Sequence, residues 1–150
     1  MTVVSDSSPL VILTKLACLD LLNRVFPRVY ISAEVHHEVV IAGAGLPGAN
    51  PVGLGLAQQK HALGFGEMST ILLAKELGAN LVLLDDYKAR KLAKAERLEV
   101  MGSVGLLEAF YARGYMTDLR SFFRQLLTHN VYIDQRLLDR RLRALGLPPI

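Results

Sequence analysis

Four acidic residues have the types and spacing of a site that binds a divalent cation. Asp6 directly follows a short apolar run, and Asp85 directly follows a longer one. Because the carboxyl ends of parallel strands meet at one edge of a sheet, we expect these two carboxylates to lie together. Glu38 and Glu67 fall on helical segments, and the 18-residue spacing from Glu67 to Asp85 fits a helix, a turn and a returning strand.

Carboxylates gathered at one sheet edge repel one another unless a cation neutralises them. Hard oxygen ligands without a cysteine or histidine cluster favour Mg²⁺ or Mn²⁺ over zinc. The sequence therefore predicts a Mg²⁺ or Mn²⁺ site. The predicted ligands are Asp6, Glu38, Glu67, Asp85 and the adjacent Asp86.

Most of these acids also have a structural interpretation. Asp6 or Ser7 can cap the first helix, and Glu67 in a first helical turn complements the helix dipole. Glu38 on a helix surface can be a solvated charge. Asp86 can cap the following helix, which leaves Asp85 at its strand end without a structural function that the sequence explains.

Strands that alternate with helices predict an α/β fold in which a mostly parallel sheet is covered on both faces. The predicted strands are Thr2–Ser5, Val29–Ile31, Leu81–Leu84, Leu98–Met101 and Val131–Ile133. The first predicted helix begins after Ser8. The other predicted helices cover Leu19–Val25, Ala33–Ile41, Glu67–Leu77, Tyr87–Arg97, Val104–Arg113, Asp118–Leu127 and the segment from Asp134 to Leu145. Ser8, Ser32, Thr117 and Asp134 are the predicted N-caps. Residues 43–55, with five glycines and two prolines, are predicted to form a loop.

The composition is that of one small soluble domain. The chain has 150 residues, of which 51% are apolar, so it has ample material for a buried core. No continuous apolar run reaches the roughly 18 residues that a membrane span needs. The single cysteine, Cys18, cannot form an intrachain disulfide, which fits a reducing compartment. We therefore expect a cytoplasmic protein with one domain over residues 1–150 and no membrane partner.

Charge is unevenly distributed along the chain. Residues 1–85 hold five basic and seven acidic side chains, whereas residues 86–150 hold twelve and seven. A basic part beside an acidic one is typical of a metal site next to a polyanion groove, although solvated helix faces give the same count. The basic residues after Asp85 that we expect to contact nucleic acid are Lys88, Arg90, Lys94 and Arg97. Three of them, Arg90, Lys94 and Arg97, follow i, i+4, i+7 spacing.

Two other patterns are discounted. Residues 43–48 form a Gly-x-Gly-x-x-Gly pattern, but they follow a helical segment and include a proline, so we expect no dinucleotide. His36 and His37 are adjacent, and adjacent helical side chains point about 100° apart, so the pair is not a metal site. A phosphotransfer receiver domain would also use Asp6 and Asp85, but it needs a late-strand lysine for which the sequence has no convincing candidate.

The sequence resembles the PIN-domain family over nearly its whole length. The resemblance is carried by Asp6-Ser7-Ser8-Pro9-Leu10, by Leu63–Glu67 continuing through Leu73-Ala74, by Leu83–Arg90 and by Val100–Leu107. The order of these segments is similar to a prokaryotic PIN-like subgroup akin to VapC-type toxins. The resemblance implies a three-layer α/β/α fold around a mostly parallel sheet.

The resemblance also implies a metal-dependent ribonuclease. Asp6, Glu38, Glu67 and Asp85 match the four acids of the family, with Glu67 where many relatives carry aspartate. Ser103 resembles a hydroxyl residue that holds an acid or a water in place, and Ser7 is expected to support the acids in the same way. In such enzymes one or two ions activate water for in-line attack on a phosphodiester.

One departure from the family affects the expected function. The glycine-rich connecting segment, residues 43–64, is shorter than in relatives and carries no aromatic strand, which affects the wall that would hold substrate. The expected function is an RNA-cleaving toxin with a small antitoxin partner; the alternative is a catalytically silent PIN-like module that binds nucleic acid or a partner protein.

A homodimer is expected because the C-terminal helices carry more apolar residues than one core-facing stripe needs. These are Phe122, Phe123, Leu126, Leu127, Leu137, Leu138, Leu142 and Leu145.

Overall fold

The computed structural model describes residues 1–41, 54–56, 66–129 and 133–150. The described chain forms two compact units, Met1–Ser103 and Val104–Ile150. Among these described residues, no helix has the length and apolar content required to cross a lipid bilayer. The prediction of one domain over residues 1–150 stays a prediction.

A five-stranded parallel sheet is the centre of the first unit. Its strands are β1 (Val3–Ser5), β2 (Val29–Ile31), β3 (Leu54–Leu56), β4 (Leu81–Leu83) and β5 (Val100–Met101). The spatial order is β3-β2-β1-β4-β5, and every neighbouring pair is parallel. The predicted α/β fold with its central parallel sheet is confirmed. Because β1 lies between β2 and β4, residues that follow β1 and β4 emerge side by side.

Burial explains why the central strands are apolar without alternation. All residues of β1 and β4 are buried, as expected for strands of a parallel sheet that is covered on both faces. Val4 and Val82 belong to one hydrophobic cluster with Ile71 and Leu73 of the helix before β4. This cluster fixes the carboxyl ends of both strands relative to each other.

Within the described ranges of the first unit, five α-helices connect the strands. They are α1 (Ser7–Lys15), α2 (Leu19–Val25), α3 (Ala33–His36), α4 (Gly66–Leu77) and α5 (Tyr87–Ala95). Helix α3 continues as a π-helical segment over His37–Ile41. Ser32 caps α3 by accepting a hydrogen bond from the backbone N–H of Val35, as predicted. Gly78 ends α4 with a φ of +60°, which favours glycine.

Helix α6 (Ser103–Ala112) begins at the last residue of the first unit, and α7 (Leu119–Thr128) and α8 (Gln135–Ala144) follow it. Phe123 and Leu126 of α7 and Leu138 and Leu142 of α8 are buried. These two helices pack against each other, and Asp134 caps α8 as predicted.

Several predicted boundaries are wrong for local reasons. Helix α1 begins at Ser7, so Asp6 and not Ser8 occupies the N-cap position. Asp118 rather than Thr117 caps α7, because its carboxylate accepts from the backbone N–H of Ser121. Leu54 and Gly55 belong to β3, not to the predicted loop, whose residues 43–53 lie outside the described chain. Most of the predicted last strand, residues 131–132, also lies outside the described residues.

Candidate metal centre

Asp6 is the most buried of the predicted ligands. It directly follows β1, and its backbone N–H donates to the Leu83 carbonyl of β4 at 3.0 Å. Only 1% of the residue is exposed to solvent. Its Oδ1 atom is buried and has no hydrogen-bond partner among the described residues. Burying a carboxylate oxygen without a hydrogen-bond partner costs free energy, so this atom is suited to bind a ligand.

The electrostatic environment of Asp6 identifies its neighbours. Burial raises the pKa of Asp6 to about 7, a backbone hydrogen bond from Ser7 opposes this rise, and the negative charges of Glu67, Glu38 and Asp85 add to it. The fold therefore gathers the four acids named from the sequence around one buried carboxylate. The assignment of these acids as metal ligands stays a prediction.

Glu38 lies on the π-helical segment. Ser7 orients its carboxylate, and Gly66 leaves room for it. The Ser7 hydroxyl donates to Glu38 Oε2 at 2.7 Å. Gly66 provides the space on the other side, because a Cβ at this position would lie 2.7 Å from Glu38 Oε1 and 3.2 Å from Asp6 Oδ1. The carboxylates of Asp6 and Glu38 thus share the face of α4 where Gly66 has no side chain.

Glu67 is half-buried in the first turn of α4. A buried hydrogen bond of 2.7 Å joins Ser69 of the same turn to Ser32, the N-cap of α3. Ser69 also donates to the Gly66 carbonyl at 2.8 Å. Because of these bonds, the start of α4 and the start of the helix that leads to Glu38 are held together.

Asp85 follows β4 by two residues and is held by Ser103 at both of its oxygens. The Ser103 backbone N–H donates to Oδ1 at 2.6 Å, and the Ser103 hydroxyl donates to Oδ2 at 2.6 Å. Ser103 is fully buried and is the first residue of α6, so Asp85 satisfies a donor at the start of that helix. The sequence-based argument that Asp85 has no structural function is wrong.

Asp86 has a different environment from the four acids. It is exposed, and its Oδ2 accepts from the backbone N–H of Ala89 at 2.9 Å, as an N-cap of α5. It is not among the charges that raise the pKa of Asp6. The structure thus places Asp86 in the capping role that the sequence allowed and does not bring it into the cluster.

The residues present fit a divalent cation. The donor set is made of carboxylate oxygens, one of them buried and unpartnered, and Gly66 leaves room beside it. Within the described ranges, no three acidic, histidine or cysteine side chains stand at ligand distances in their present rotamers. Asp6, Glu38, Glu67 and Asp85 are the residues that would hold such a cation.

The four residues predicted to bind nucleic acid differ in their exposure to solvent: Arg90 is half-buried and the other three are exposed. Lys88 and Lys94 of α5 are exposed, and Arg97 lies beyond the end of the helix with a φ of +64°, so the helical spacing does not extend to it. Arg90 is half-buried, and its Nη1 would lie 3.2 Å from a Cβ on Gly102. Asp85 Oδ1 would lie 3.0 Å from the same Cβ, so Arg90 and Asp85 flank Gly102.

Sequence reasoning missed Gly66 and Gly102 as site residues. Gly66 belongs to the Leu63–Glu67 segment and Gly102 precedes Ser103, so both were within recognised motifs. The signal that could have identified them is a glycine directly before a candidate acid or hydroxyl residue. Other side chains can approach such a position closely, because glycine has no side chain.

Comparison with known proteins gives one family. A family model described as a PIN domain matches residues 2–147 of this chain. No curated protein matches the sequence.

Proposed function

Since the chain belongs to the PIN-domain family, we propose that it is an endoribonuclease that depends on Mg²⁺ or Mn²⁺. PIN domains are generally nucleases, they act on nucleic acid and they typically use divalent metals. The proposed ligands are Asp6, Glu38, Glu67 and Asp85. Asp86 is left out of this set because its carboxylate caps α5.

The observation that carries the proposal is the buried, unpartnered Oδ1 of Asp6. Three further carboxylates act on this residue, and each of them makes its ionised form less stable. A protein gains nothing in stability from such a cluster alone, because desolvation and repulsion both oppose it. The attraction between a divalent cation and the carboxylates offsets both effects, which supports a metal-binding function for the cluster.

The residues of the chain then have separate functions in RNA hydrolysis. Asp6 and Glu67 supply charge at the buried end of the site, Ser7 orients Glu38, and Ser103 fixes Asp85. When bound, the cation stabilises charge on the phosphodiester and activates water. Lys88, Arg90, Lys94 and Arg97 are the basic residues proposed to bind the RNA backbone.

Substitution of Asp6 by asparagine tests the proposed function. Asp6→Asn keeps the size and removes the charge, so Mn²⁺-dependent RNA cleavage should fall by a factor of about 1,000 or more. The thermal shift caused by Mn²⁺ should vanish as well. Asp20→Asn is the matched control, because Asp20 is exposed and lies outside the cluster. Cleavage that is equal in Asp6→Asn, Asp20→Asn and the unmodified protein, after a contaminating nuclease has been excluded, would contradict the proposal.

We extend the proposal to the biological setting of a toxin paired with a small antitoxin protein. The prokaryotic PIN-like subgroup that the sequence resembles supports this setting. The decisive observation is a short adjacent reading frame whose product co-purifies with this chain and suppresses its cleavage of RNA. Cleavage that persists when that product is present in excess contradicts the pairing and leaves the metal site untouched.

We also propose a homodimer and a cytoplasmic location. Leu137 of α8 and Leu145, the C-cap of that helix, are exposed to 39% and 41%, and we propose that the partner subunit covers them. Light scattering at micromolar concentration should give twice the chain mass; a monomer contradicts the dimer. The cytoplasmic location is proposed because the single cysteine, Cys18, cannot form an intrachain disulfide. Burial raises the pKa of its thiol to about 12, so Cys18 stays protonated in the core.

A further inference from the structure

Arg90 differs from the other basic residues near the acidic edge. It lies on α5, but its side chain is half-buried where Lys88, Lys91 and Lys94 are exposed. Its Nη1 approaches Gly102 on the side where Asp85 Oδ1 also approaches. Arg90 is therefore the basic side chain of this helix that the structure places beside a predicted metal ligand.

The guanidinium of Arg90 has no acidic partner in the described part of the chain. The ion pairs there involve Lys75, Arg136 and Arg141, and none includes Arg90. Asp85 accepts hydrogen bonds from Ser103 at both of its oxygens, and no ion pair joins it to Arg90 within the described residues. Arg90 is half-buried as a residue, and its guanidinium, beside a carboxylate site and without an ion pair in the described chain, is suited to bind an anion. The planar fork of the guanidinium matches a phosphate.

Gly102 leaves room for the Asp85 carboxylate and the Arg90 guanidinium, because it has no side chain. A Cβ there would meet Asp85 Oδ1 at 3.0 Å, Arg90 Nη1 at 3.2 Å and the Leu84 carbonyl at 3.4 Å. The residue shows no positive φ, so glycine is needed for space and not for backbone conformation. The lack of a side chain lets the guanidinium stand next to Asp85 without either group being displaced.

We propose that Arg90 contacts the phosphate to be cleaved, whereas Lys88 and Lys94 only attract the RNA backbone. This inference rests on the proposed function, because it identifies the part of the substrate that Arg90 binds. Arg90 would act with the metal ligands on one phosphate, since it flanks Gly102 together with Asp85. The exposed lysines would contribute through long-range attraction that salt screens.

The test is RNA binding in EDTA, which needs neither metal nor cleavage. A fluorescent single-stranded RNA is titrated with unmodified protein, Arg90→Met, Arg90→Lys and the control Lys91→Met. Lys91 is the adjacent position of α5, exposed, and loses the same charge. Arg90→Met should weaken binding by about tenfold relative to Lys91→Met, because a charge-assisted hydrogen bond is lost. Arg90→Lys should fall between them, because it keeps the charge and loses the fork.

Three results would overturn the inference. Equal weakening in Arg90→Met and Lys91→Met means that Arg90 acts only as one charge among several. Unchanged RNA binding, with a larger Mn²⁺ thermal shift in Arg90→Met, means that Arg90 only neutralises Asp85. Absence of RNA binding by the unmodified protein at low salt also overturns it. The Mn²⁺ shift of the unmodified protein reports separately on the proposed metal site, so the two failures are distinguishable.

Discussion

The ends of two adjacent strands carry the same type of side chain in opposite environments. After β1, Asp6 is 1% exposed and its Oδ1 has no partner among the described residues. After β4, Asp85 is half-buried and each of its oxygens accepts a hydrogen bond from Ser103. Asp85 therefore contributes to the stability of the fold by itself, whereas Asp6 lowers that stability until a cation binds. Position at a strand end places both acids but does not determine what each one does.

The largest expected effect is on the pH dependence of stability, and it concerns Asp6. Its pKa in the folded state is raised to about 7, above the ordinary value of 3.8. Between these two values the unfolded chain loses the proton and the folded chain keeps it. The free energy of unfolding contributed by Asp6 therefore falls as pH rises from about 4 to 7, by something on the order of 4 kcal/mol.

Urea unfolding in EDTA between pH 4 and pH 8 measures this effect. The difference between Asp6→Asn and the unmodified protein isolates it, because the variant has no group to titrate at this position. At pH 8 the variant should be the more stable protein, and added Mn²⁺ should stabilise only the unmodified chain. A difference between the two proteins that does not change with pH would show that Asp6 ionises normally in the folded state.

A smaller effect is expected at the end of β4. Ser103→Ala removes the hydroxyl that donates to Asp85 Oδ2 and leaves the backbone N–H bond to Oδ1. Because the acceptor is charged, the free energy of unfolding should decrease by about 2 kcal/mol in EDTA. Ser121→Ala on α7 is the control for a serine outside the site. Equal unfolding curves for Ser103→Ala and the unmodified protein would contradict the difference between the two strand ends.

Gly66→Ala should separate stability from metal binding. The new Cβ would lie 2.7 Å from Glu38 Oε1, which must move, but Glu38 is exposed and its side chain is flexible. Alanine also favours a helix over glycine, so the free energy of unfolding should change by less than about 1 kcal/mol. The Mn²⁺ concentration needed for half the thermal shift should rise severalfold. A large loss of stability with unchanged Mn²⁺ affinity would contradict this assignment.

The smallest effect is expected from Ser7→Ala. The Ser7 hydroxyl bonds to the exposed Glu38 carboxylate, so its loss should reduce the free energy of unfolding by about 0.5 kcal/mol. Calorimetric titration with Mn²⁺ should show weaker binding, since Glu38 is no longer oriented. Ser8→Ala is the matched control, because Ser8 is the next residue of α1 and is exposed. Identical titrations for Ser7→Ala and Ser8→Ala would contradict a positioning function for Ser7.

Local patterns predicted those parts of the fold that local physics determines. The apolar runs predicted all of β1, β2 and β4, with one residue too many at the start of β1 and at the end of β4. Ser32 and Asp134 were identified as caps because capping involves residues two or three positions apart. Strand β3 was missed because Leu54-Gly55-Leu56 carries little strand propensity and is defined by pairing with β2.

The details of the site depend on contacts that no short pattern contains. Asp85 and Ser103 are separated by 18 residues, so their hydrogen bonds follow from the fold and not from either segment. Glu38 was placed on a helix, but whether a π-helical segment turns it towards Gly66 cannot be read from its neighbours. The sequence could nevertheless name the four acids, because strand ends and helix starts converge at one edge of a parallel sheet.

The hydrogen bonds between Ser103 and Asp85 determine how much of the chain must be synthesised before Asp85 is fixed. A growing chain can form β1 and β2 early, since their residues are close in sequence. Strand β4 joins them only after residue 83 has left the ribosome, and Asp85 is fixed only after residue 103 has done so. A nascent chain shorter than this has Asp6 in place but lacks the opposite wall of the site. The hydrogen bonds that fix Asp85 can therefore form only after about two thirds of the chain has emerged.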